Sequence, residues 1–351
     1  MSSAPEASAV EPPSTGRRGR GATGARRVLV VLLVFGALAA GCVLFSLLVG
    51  ATRIDLEALL RFDPETLDYQ KVFRHRLPRS MAALIVGGAL ALAGLVFQAL
   101  IRNPLASPYI LGVSAGGSLG AVLALALGVT FVSPAAFLGA CVAILLVYGV
   151  ARTGGRVPAG TLLLAGVVVN AFFSASIMLV NLLSARDDQA RILRWLVGGL
   201  REDYDAGLLL PSAGATLLLL VLLFFLSRQL NLLSLGDLAA ERAGVSVART
   251  RTVLYLLASL GTAAAVSISG PIGFVGLIVP HFLRLILGPD HRLLVPAAVL
   301  AGGGFLSVVD TLAQSIFVLP LPAGVVTAFL GGPLFLILLK RRDRRRAGLD
   351  E

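Results

Sequence analysis

Ten apolar segments, almost empty of charged residues, follow one another between residues 28 and 340. A helix needs about 20 apolar residues to cross a hydrocarbon core ~30 Å thick. Most of the segments approach that length, although Gly and Pro interrupt several of them. The pattern therefore predicts an all-α, polytopic membrane protein with about ten transmembrane helices. The predicted spans are 28–50, 80–100, 108–128, 134–151, 159–183, 206–227, 251–270, 272–287, 293–313 and 323–339.

Composition agrees with this pattern and excludes a soluble protein. Hydrophobic residues make up 57% of the chain, and the mean hydropathy is +0.89. We expect residues 1–27 to form a disordered basic tail, 28–340 the transmembrane domain, and 341–351 a second basic tail. Residues 38–42 approach a lipoprotein cleavage signal, but the apolar run continues to Leu48, which favours an ordinary first span.

The distribution of Lys and Arg predicts the orientation. If the amino terminus is cytoplasmic, the inner loops hold 20 of the 30 basic residues, as the positive-inside rule requires. Ten spans then place both termini in the cytoplasm. The net charge of +11 accordingly reflects topology and anionic lipid rather than nucleic acid.

The chain lacks the parts that would supply energy for transport. Its two lysines, Lys71 and Lys340, lie outside any phosphate-binding loop, so no ATP site is expected. Asp310 is the lone carboxylate at membrane depth, where a structural role is favoured over a proton relay. The three histidines are dispersed and predict no metal site, and no catalytic constellation is visible. This absence favours a transport pathway that is powered by a separate subunit, rather than an enzyme or an ion-coupled secondary transporter.

Three segments carry a more specific signal. Residues 76–79 read Arg-Leu-Pro-Arg, and residues 270–281 read Gly-Pro-Ile-Gly-Phe-Val-Gly-Leu-Ile-Val-Pro-His. Residues 322–327 read Pro-Ala-Gly-Val-Val-Thr. Together and in this order, they resemble the FecCD-type permeases of bacterial ABC importers. That family includes the vitamin B12, haem and ferric-siderophore permeases.

The resemblance implies a type II ABC importer fold built from inverted repeats, in the bacterial cytoplasmic (inner) membrane. It implies a homodimer that works with two ATPase subunits and an extracytoplasmic substrate-binding protein. This chain would hold no cofactor, because ATP and Mg would bind to the partner ATPase. A ferric siderophore is the expected cargo, with haem and cobalamin as open alternatives.

A loop between the sixth and seventh spans is the expected contact with the ATPase. Ser234 and Asp237 have the spacing of a capping box, and Gly244 can end the helix that they begin. The resemblance makes this short helix a coupling helix, whereas its sequence alone also fits a solvated connector. The candidate residues are Leu235, Gly236, Asp237, Leu238, Ala239, Ala240, Glu241, Arg242, Ala243 and Gly244.

The fifth span carries the candidate pathway. Asn170, Ser174 and Asn181 share one helical face, which suggests a wet surface, with helix–helix hydrogen bonding as the alternative. By resemblance, a cytoplasmic gate lies near the start of this helix. Its expected residues are Pro158, Ala159 and Gly160.

Two arginines are expected to dock the binding protein. Arg76 and Arg79 match family positions that meet glutamates on that partner, while snorkelling to the membrane interface is the alternative. Both would lie at the outer end of the second span.

The sequence departs from the family pattern at a second docking site. Gln314 stands where relatives often carry Arg, and Pro320 where they often carry Glu. We expect segment 187–201 to form an amphipathic helix at the entrance, with Arg191 and Arg194 compensating for the missing charge.

Overall fold

The computed structural model describes residues 19–50, 54, 65–152, 157–201, 203–316 and 319–346, and every element in these ranges is a helix. Residues 1–18 and 347–351 of the expected tails lie outside the described ranges. The helices are α1 (Gly19–Leu48), α2 (Leu67–Ile101), α3 (Val113–Ala126), α4 (Val132–Ala151), α5 (Ala159–Leu183), α6 (Arg186–Val197), α7 (Ala206–Phe225), α8 (Ser227–Ser234), α9 (Asp237–Arg242), α10 (Val247–Ser269), α11 (Val275–Leu287), α12 (His291–Ser315) and α13 (Ala323–Arg346).

The predicted spans correspond to helices of this fold. Within the described ranges, seven helices are long and apolar enough to cross a membrane, and three shorter apolar helices, α3, α11 and the first part of α13, match the remaining spans. The all-α, polytopic prediction is therefore confirmed. The ends differ, because α1 begins at Gly19 and α13 continues to Arg346. Residues 340–346 are mostly Lys and Arg, which are good helix formers, so α13 extends past its apolar segment.

Helix α2 forms the centre of the protein. It contains a π-helical turn at Lys71–Arg76, and its apolar part is 83% buried. A side chain at Gly87 would overlap the carbonyl oxygen of Gly302 in α12, and one at Gly302 would overlap that of Gly87. These two glycines let the backbones of α2 and α12 touch, as small residues do in membrane helix pairs.

A second glycine contact joins α3 to α4. A Cβ on Gly116 or Gly120 would collide with α4, and one on Gly139 of α4 would collide with α3. The contact is therefore reciprocal. The repeated glycines of α3 serve helix packing, since they face a neighbouring helix.

Helix α11, which contains Gly276 and Pro280, packs against α2. Phe274 adopts a left-handed conformation with φ of 66° at the start of the helix. Pro280 has no N–H, so the carbonyl of Gly276 loses its usual helical donor. The Nε2 of Gln98, in α2, donates to this carbonyl and to that of Leu277, both at 3.3 Å. Another helix thus supplies the hydrogen bond that the proline removes, as the membrane interior requires.

Candidate functional site

A cavity of about 1270 Å³, called the outer cavity below, opens at the end of the helices that the predicted topology places outside. It lies among α2, α6, the loop that follows α6, and the segment between α12 and α13. Its charged lining residues in the described ranges are Arg79, Arg191, Arg194, Arg201, Asp203 and Asp205. The positions of both family departures, Gln314 and Pro320, line the same cavity.

Arg79 forms an ion pair with Asp310 at the edge of this cavity. Its Nε lies 2.6 Å from Oδ2, and its Nη2 lies 2.9 Å from Oδ1. The side chains are only 15% and 6% exposed, respectively. The structural role expected for Asp310 is thus to bind Arg79 and join α12 to α2.

Arg76 is also held by its own chain. Its Nη1 donates to the backbone carbonyl of Leu47, at the end of α1, at 2.8 Å. It borders a separate cavity of about 230 Å³ that Arg79 also lines. Of the two arginines expected to dock the binding protein, Arg79 alone lines the larger cavity. Docking through them remains a prediction, and any test must allow for these contacts.

Helix α6 carries the other two docking candidates. It spans Arg186–Val197, inside the segment predicted to be amphipathic, and ends where Gly198 takes a φ of 70°. Arg191 is exposed and lies 3.5 Å from the half-buried Asp188, and Arg194 is exposed. Their guanidinium groups therefore reach the cavity without a buried partner that would restrain them.

Three backbone segments meet behind the cavity. The N–H of Gly324 donates to the carbonyl of Gly198 at 3.0 Å, and that of Gly199 donates to Ser269 at 2.8 Å. A Cβ on Gly198 would overlap the carbonyl oxygen of Pro271, and a Cβ on Gly324 would overlap that of Val197. The second and third sequence motifs therefore meet here, and glycine is needed because the backbones are in contact.

The polar face of α5 lies at the border between the buried and exposed sides of the helix. Ser174 is exposed, whereas Asn170 and Asn181 are half-buried. The Oδ1 of Asn181 is buried and accepts no hydrogen bond from the described residues. The opposite face is apolar and open, with Phe172 and Leu179 64% and 59% exposed. The pathway assignment stays a prediction.

The expected gate residues form the start of α5. Pro158 precedes the first turn, and Ala159 and Gly160 begin it. Pro158 and Gly160 are exposed and Ala159 is half-buried, while Val157, just before them, is buried. Under the predicted topology these residues lie at the cytoplasmic end of α5, and their role as a gate stays a prediction.

The predicted coupling helix is present as α9, but a capping box does not begin it. Gly236, with φ of 118°, precedes the helix, and Ser234 ends α8 and donates to the carbonyl of Leu230. The capping-box prediction is wrong, because α8 continues through Ser234. Gly244 does end α9: its N–H donates to Glu241, and the N–H of Val245 donates to Ala240, as in a Schellman motif.

The two sides of this loop differ in burial. Leu235 and Leu238 are 75% and 72% exposed, whereas Ala240 is completely buried in the core. Asp237 accepts a hydrogen bond of 2.8 Å from Arg251 in α10. The exposed leucines thus offer an apolar contact surface, while Ala240 and Asp237 attach α9 to the protein.

Three residues that organise these sites were not singled out as such by the sequence. Arg79 was expected to dock the binding protein and not to pair with Asp310. Neither Arg251 nor Gln98 was noted. A signal existed for the first pair, since a carboxylate at membrane depth requires a cation. No sequence pattern pairs Arg251 with Asp237, because their contact depends on how the loop folds back.

Comparisons with known proteins agree with this architecture. The model of the FecCD transport family matches residues 32–341. The cobalamin import system permease protein BtuC of Halobacterium salinarum is 44% identical over 279 residues, which cover 77% of this chain and 73% of that protein. The Fe(3+) dicitrate transport system permease protein FecD of Escherichia coli is 40% identical over 319 residues, 89% of this chain and 99% of that protein.

A solved structure is also similar. It is described as an inward-facing conformation of a metal-chelate type ABC transporter and aligns with a TM-score of 0.79 at 32% identity. The alignment covers 89% of this chain and 99% of that chain. The sequence motifs, the helical fold and these matches together show that the chain is a multi-pass membrane protein that belongs to the FecCD transport family.

Proposed function

We propose that this chain is the membrane-spanning permease subunit of an ATP-binding-cassette importer that moves an iron chelate into the cytoplasm. A separate ATPase subunit powers it, and a ferric siderophore is the leading cargo. The observation that carries the proposal is the exposure of two leucines in the segment between α7 and α10: Leu235, which follows α8, and Leu238, in the short helix α9. We assign these two side chains, on either side of Gly236, to one apolar contact with a partner protein.

The same helix is suited to transmit force. Ala240 is buried against the core, and Asp237 is bonded to α10. Movement of a partner bound to the leucines would therefore act on the transmembrane helices. This is the behaviour required of the coupling helix, which in this proposal docks into the ATPase that holds ATP and Mg.

A second copy of the chain completes the pathway in this proposal. Only 17% of the apolar stretch of helix α5 is buried within one chain. Its polar residues Asn170, Ser174 and Asn181 run along the edge of this open face. In a homodimer, two such edges would face each other around a central pathway, with 158–160 as the cytoplasmic gate.

The outer cavity is the proposed contact with the substrate-binding protein. Arg191 and Arg194 project from an exposed helix beside it. Arginine groups of this kind would meet carboxylates on the partner and set the rate and salt dependence of the encounter. Gln314 supplies no positive charge at the second docking position, so in this proposal α6 carries more of the contact.

The test is transport by the reconstituted complex. Liposomes containing this chain and its cognate ATPase, with the binding protein outside, are given ⁵⁵Fe-labelled siderophore, haemin or ⁵⁷Co-cyanocobalamin in parallel. We expect ATP-dependent accumulation of the iron siderophore. Accumulation of haemin or cobalamin instead would leave the assignment as an importer unchanged and would change its cargo to that compound.

A rival from another class is an ion-coupled secondary transporter. It predicts uptake by this chain alone, driven by a proton or sodium gradient without ATP. The same liposomes without the ATPase separate the two. The pairing of Asp310 with Arg79 disfavours the rival, because this carboxylate serves a structural contact between α2 and α12.

A further inference from the structure

Arg251 connects three segments at the cytoplasmic end of the protein. It lies in the first turns of α10, and the residue is 7% exposed. Its Nη2 donates to Oδ1 of Asp237 at 2.8 Å, and its Nη1 donates to the backbone carbonyl of Val157 at 3.4 Å. One guanidinium thus contacts the first residue of α9 and Val157, two residues before α5.

The two acceptors belong to the two parts that must communicate. Asp237 is the first residue of α9, which the proposed function assigns to ATPase docking. Val157 immediately precedes Pro158, the first of the expected gate residues. A single side chain therefore spans the distance between the coupling helix and the gate.

The contact of Arg251 with Asp237 is more rigid than that of Arg102, the other arginine near the same carboxylate. A guanidinium is a planar, rigid fork that fixes the relative position of two acceptors. Arg102, at the end of α2, approaches the same carboxylate, but at 3.8 Å and with its side chain 47% exposed. The Nε of Arg251 is buried and finds no acceptor among the described residues, so the cation depends on Asp237 for its charge balance. The bond to Asp237 should therefore persist while α9 moves.

We propose that Arg251 is the positioning residue through which displacement of α9 reaches the gate at Pro158, Ala159 and Gly160. The inference rests on the proposed function, since it needs an ATPase to move α9. Arg251 itself touches neither nucleotide nor cargo. Its role is to make the start of α5 follow the coupling helix.

The experiment measures gate movement without reference to the cargo. A cysteine at Ala159, in a background lacking Cys42 and Cys141, is labelled by a membrane-impermeant maleimide with and without ATP. The complex with the ATPase is present throughout. In the parent complex, ATP should change the labelling rate about tenfold, the ratio expected if the gate shifts between two states differing by ~1.4 kcal/mol. In Arg251→Gln, ATP hydrolysis should continue while the labelling rate no longer responds.

Matched variants make the result specific. Arg249→Gln removes an exposed arginine from the same helix and should keep the full response. Asp237→Asn alters a side chain that is 39% exposed and decides the question if Arg251→Gln does not assemble. The double variant Asp237→Asn, Arg251→Gln should lose the response to the same extent as Arg251→Gln alone, because both changes break one contact.

The outcomes separate the inference from the proposed function. If the parent complex shows no response to ATP, the proposed function fails. If the parent responds and both Arg251→Gln and Asp237→Asn respond equally well, the positioning role is overturned. It is also overturned if ATP hydrolysis and labelling fall together in both variants, since that result indicates a general structural role.

Discussion

The guanidinium of Arg79 and the carboxylate of Asp310 join α2 to α12 through two parallel hydrogen bonds of 2.6 and 2.9 Å. The pair lies at the edge of the outer cavity with little exposure. The second arginine of the Arg-Leu-Pro-Arg motif is therefore a structural residue of the free chain. Any role in docking the binding protein would have to use what remains accessible of the same side chain.

Asp310→Asn should lower the stability of the protein. It removes the carboxylate charge that pairs with Arg79, which costs about 3 kcal/mol at a largely buried site. Thermal unfolding of the detergent-purified protein measures the loss. Asp203→Asn is the matched control, because Asp203 is 86% exposed and should change stability little.

The double variant Arg79→Met, Asp310→Leu extends this test. Replacing both partners by apolar groups should recover most of the stability, since no unpaired charge is left. Equal stability of Asp310→Asn and Asp203→Asn would mean that the pair contributes nothing.

Reversal of Arg191 and Arg194 to Glu should slow capture of the binding protein about tenfold at low salt, where electrostatic steering is strongest. The difference should shrink at high salt because ions screen exposed charges. Surface plasmon resonance on the reconstituted permease measures the association rate. These positions are preferable to Arg76 and Arg79, whose reversal would also break contacts within the chain.

Arg228→Glu is the control for this prediction. It reverses an exposed arginine on the opposite, cytoplasmic side and should leave capture unchanged. If the α6 reversals leave the association rate unchanged at every ionic strength, the binding protein docks elsewhere.

Leu238→Ser should weaken binding of the ATPase and leave thermal stability unchanged. Its side chain is 72% exposed, so its loss costs the free chain little while removing apolar area from the contact. Replacing Ala240 by Leu should instead lower stability by about 1–3 kcal/mol, because the site is already filled. Co-purification and unfolding temperature together distinguish the two effects, and full ATPase binding by Leu238→Ser would remove the coupling assignment.

Substitution at Gly236 is not a clean test of coupling. Its φ of 118° disfavours any side chain, so a bulky replacement would strain the backbone before it reached the ATPase. Substitutions at Leu235 and Leu238 do not introduce this backbone strain.

Cysteines at Asn170, Ser174 and Asn181 should react with water-soluble maleimides in the assembled complex. Those at Phe172 and Leu179 should not, although both are well exposed in the single chain. Lipid or a second copy covers an apolar face, and thiolates form poorly in either environment. Labelling of membrane-reconstituted complex measures the difference.

The labelling background must lack Cys42 and Cys141, which are both partly accessible. Changes in labelling on addition of ATP would show that the polar face opens and closes. Equal reaction on both faces, or on neither, would contradict a pathway along this edge of α5.

Gln98→Leu should destabilise the protein by about 1–3 kcal/mol, because it leaves the carbonyl of Gly276 without a donor. Pro280→Ala supplies an N–H that can close the helical bond to Gly276. The cost of Gln98→Leu should therefore be smaller in the Pro280→Ala background, and thermal unfolding of the four proteins measures the coupling. Additive losses would show that the amide does not replace the missing bond.

The apolar pattern alone predicted the spans, and each one corresponds to a helix in the structure. This part was predictable because the membrane imposes length and composition on each segment separately. The amphipathic helix α6 and the end of α9 at Gly244 were also predictable, since both depend on neighbouring residues. The start of α9 was not, because Ser234 could either cap that helix or end α8.

The candidate site was predictable in outline only. Arg79 and Arg191 were both assigned to the outer face, and they line one cavity. That Arg79 binds Asp310, 231 positions away, did not follow from either segment. Likewise, Ala240 and Leu238 are similar in their local pattern, yet one is buried and the other exposed.

The sequence by itself determined that the chain forms membrane helices, how many apolar segments it has, and which family it resembles. These properties follow from local hydrophobicity, charge bias and short motifs, because each segment must satisfy its own backbone hydrogen bonds in lipid. Only the tertiary structure decided which charges are paired and which carbonyls a distant amide must satisfy, as with Arg251 and Gln98. The reason is physical: a buried charge or carbonyl requires a partner, but many distant residues can supply one, and helix packing selects among them.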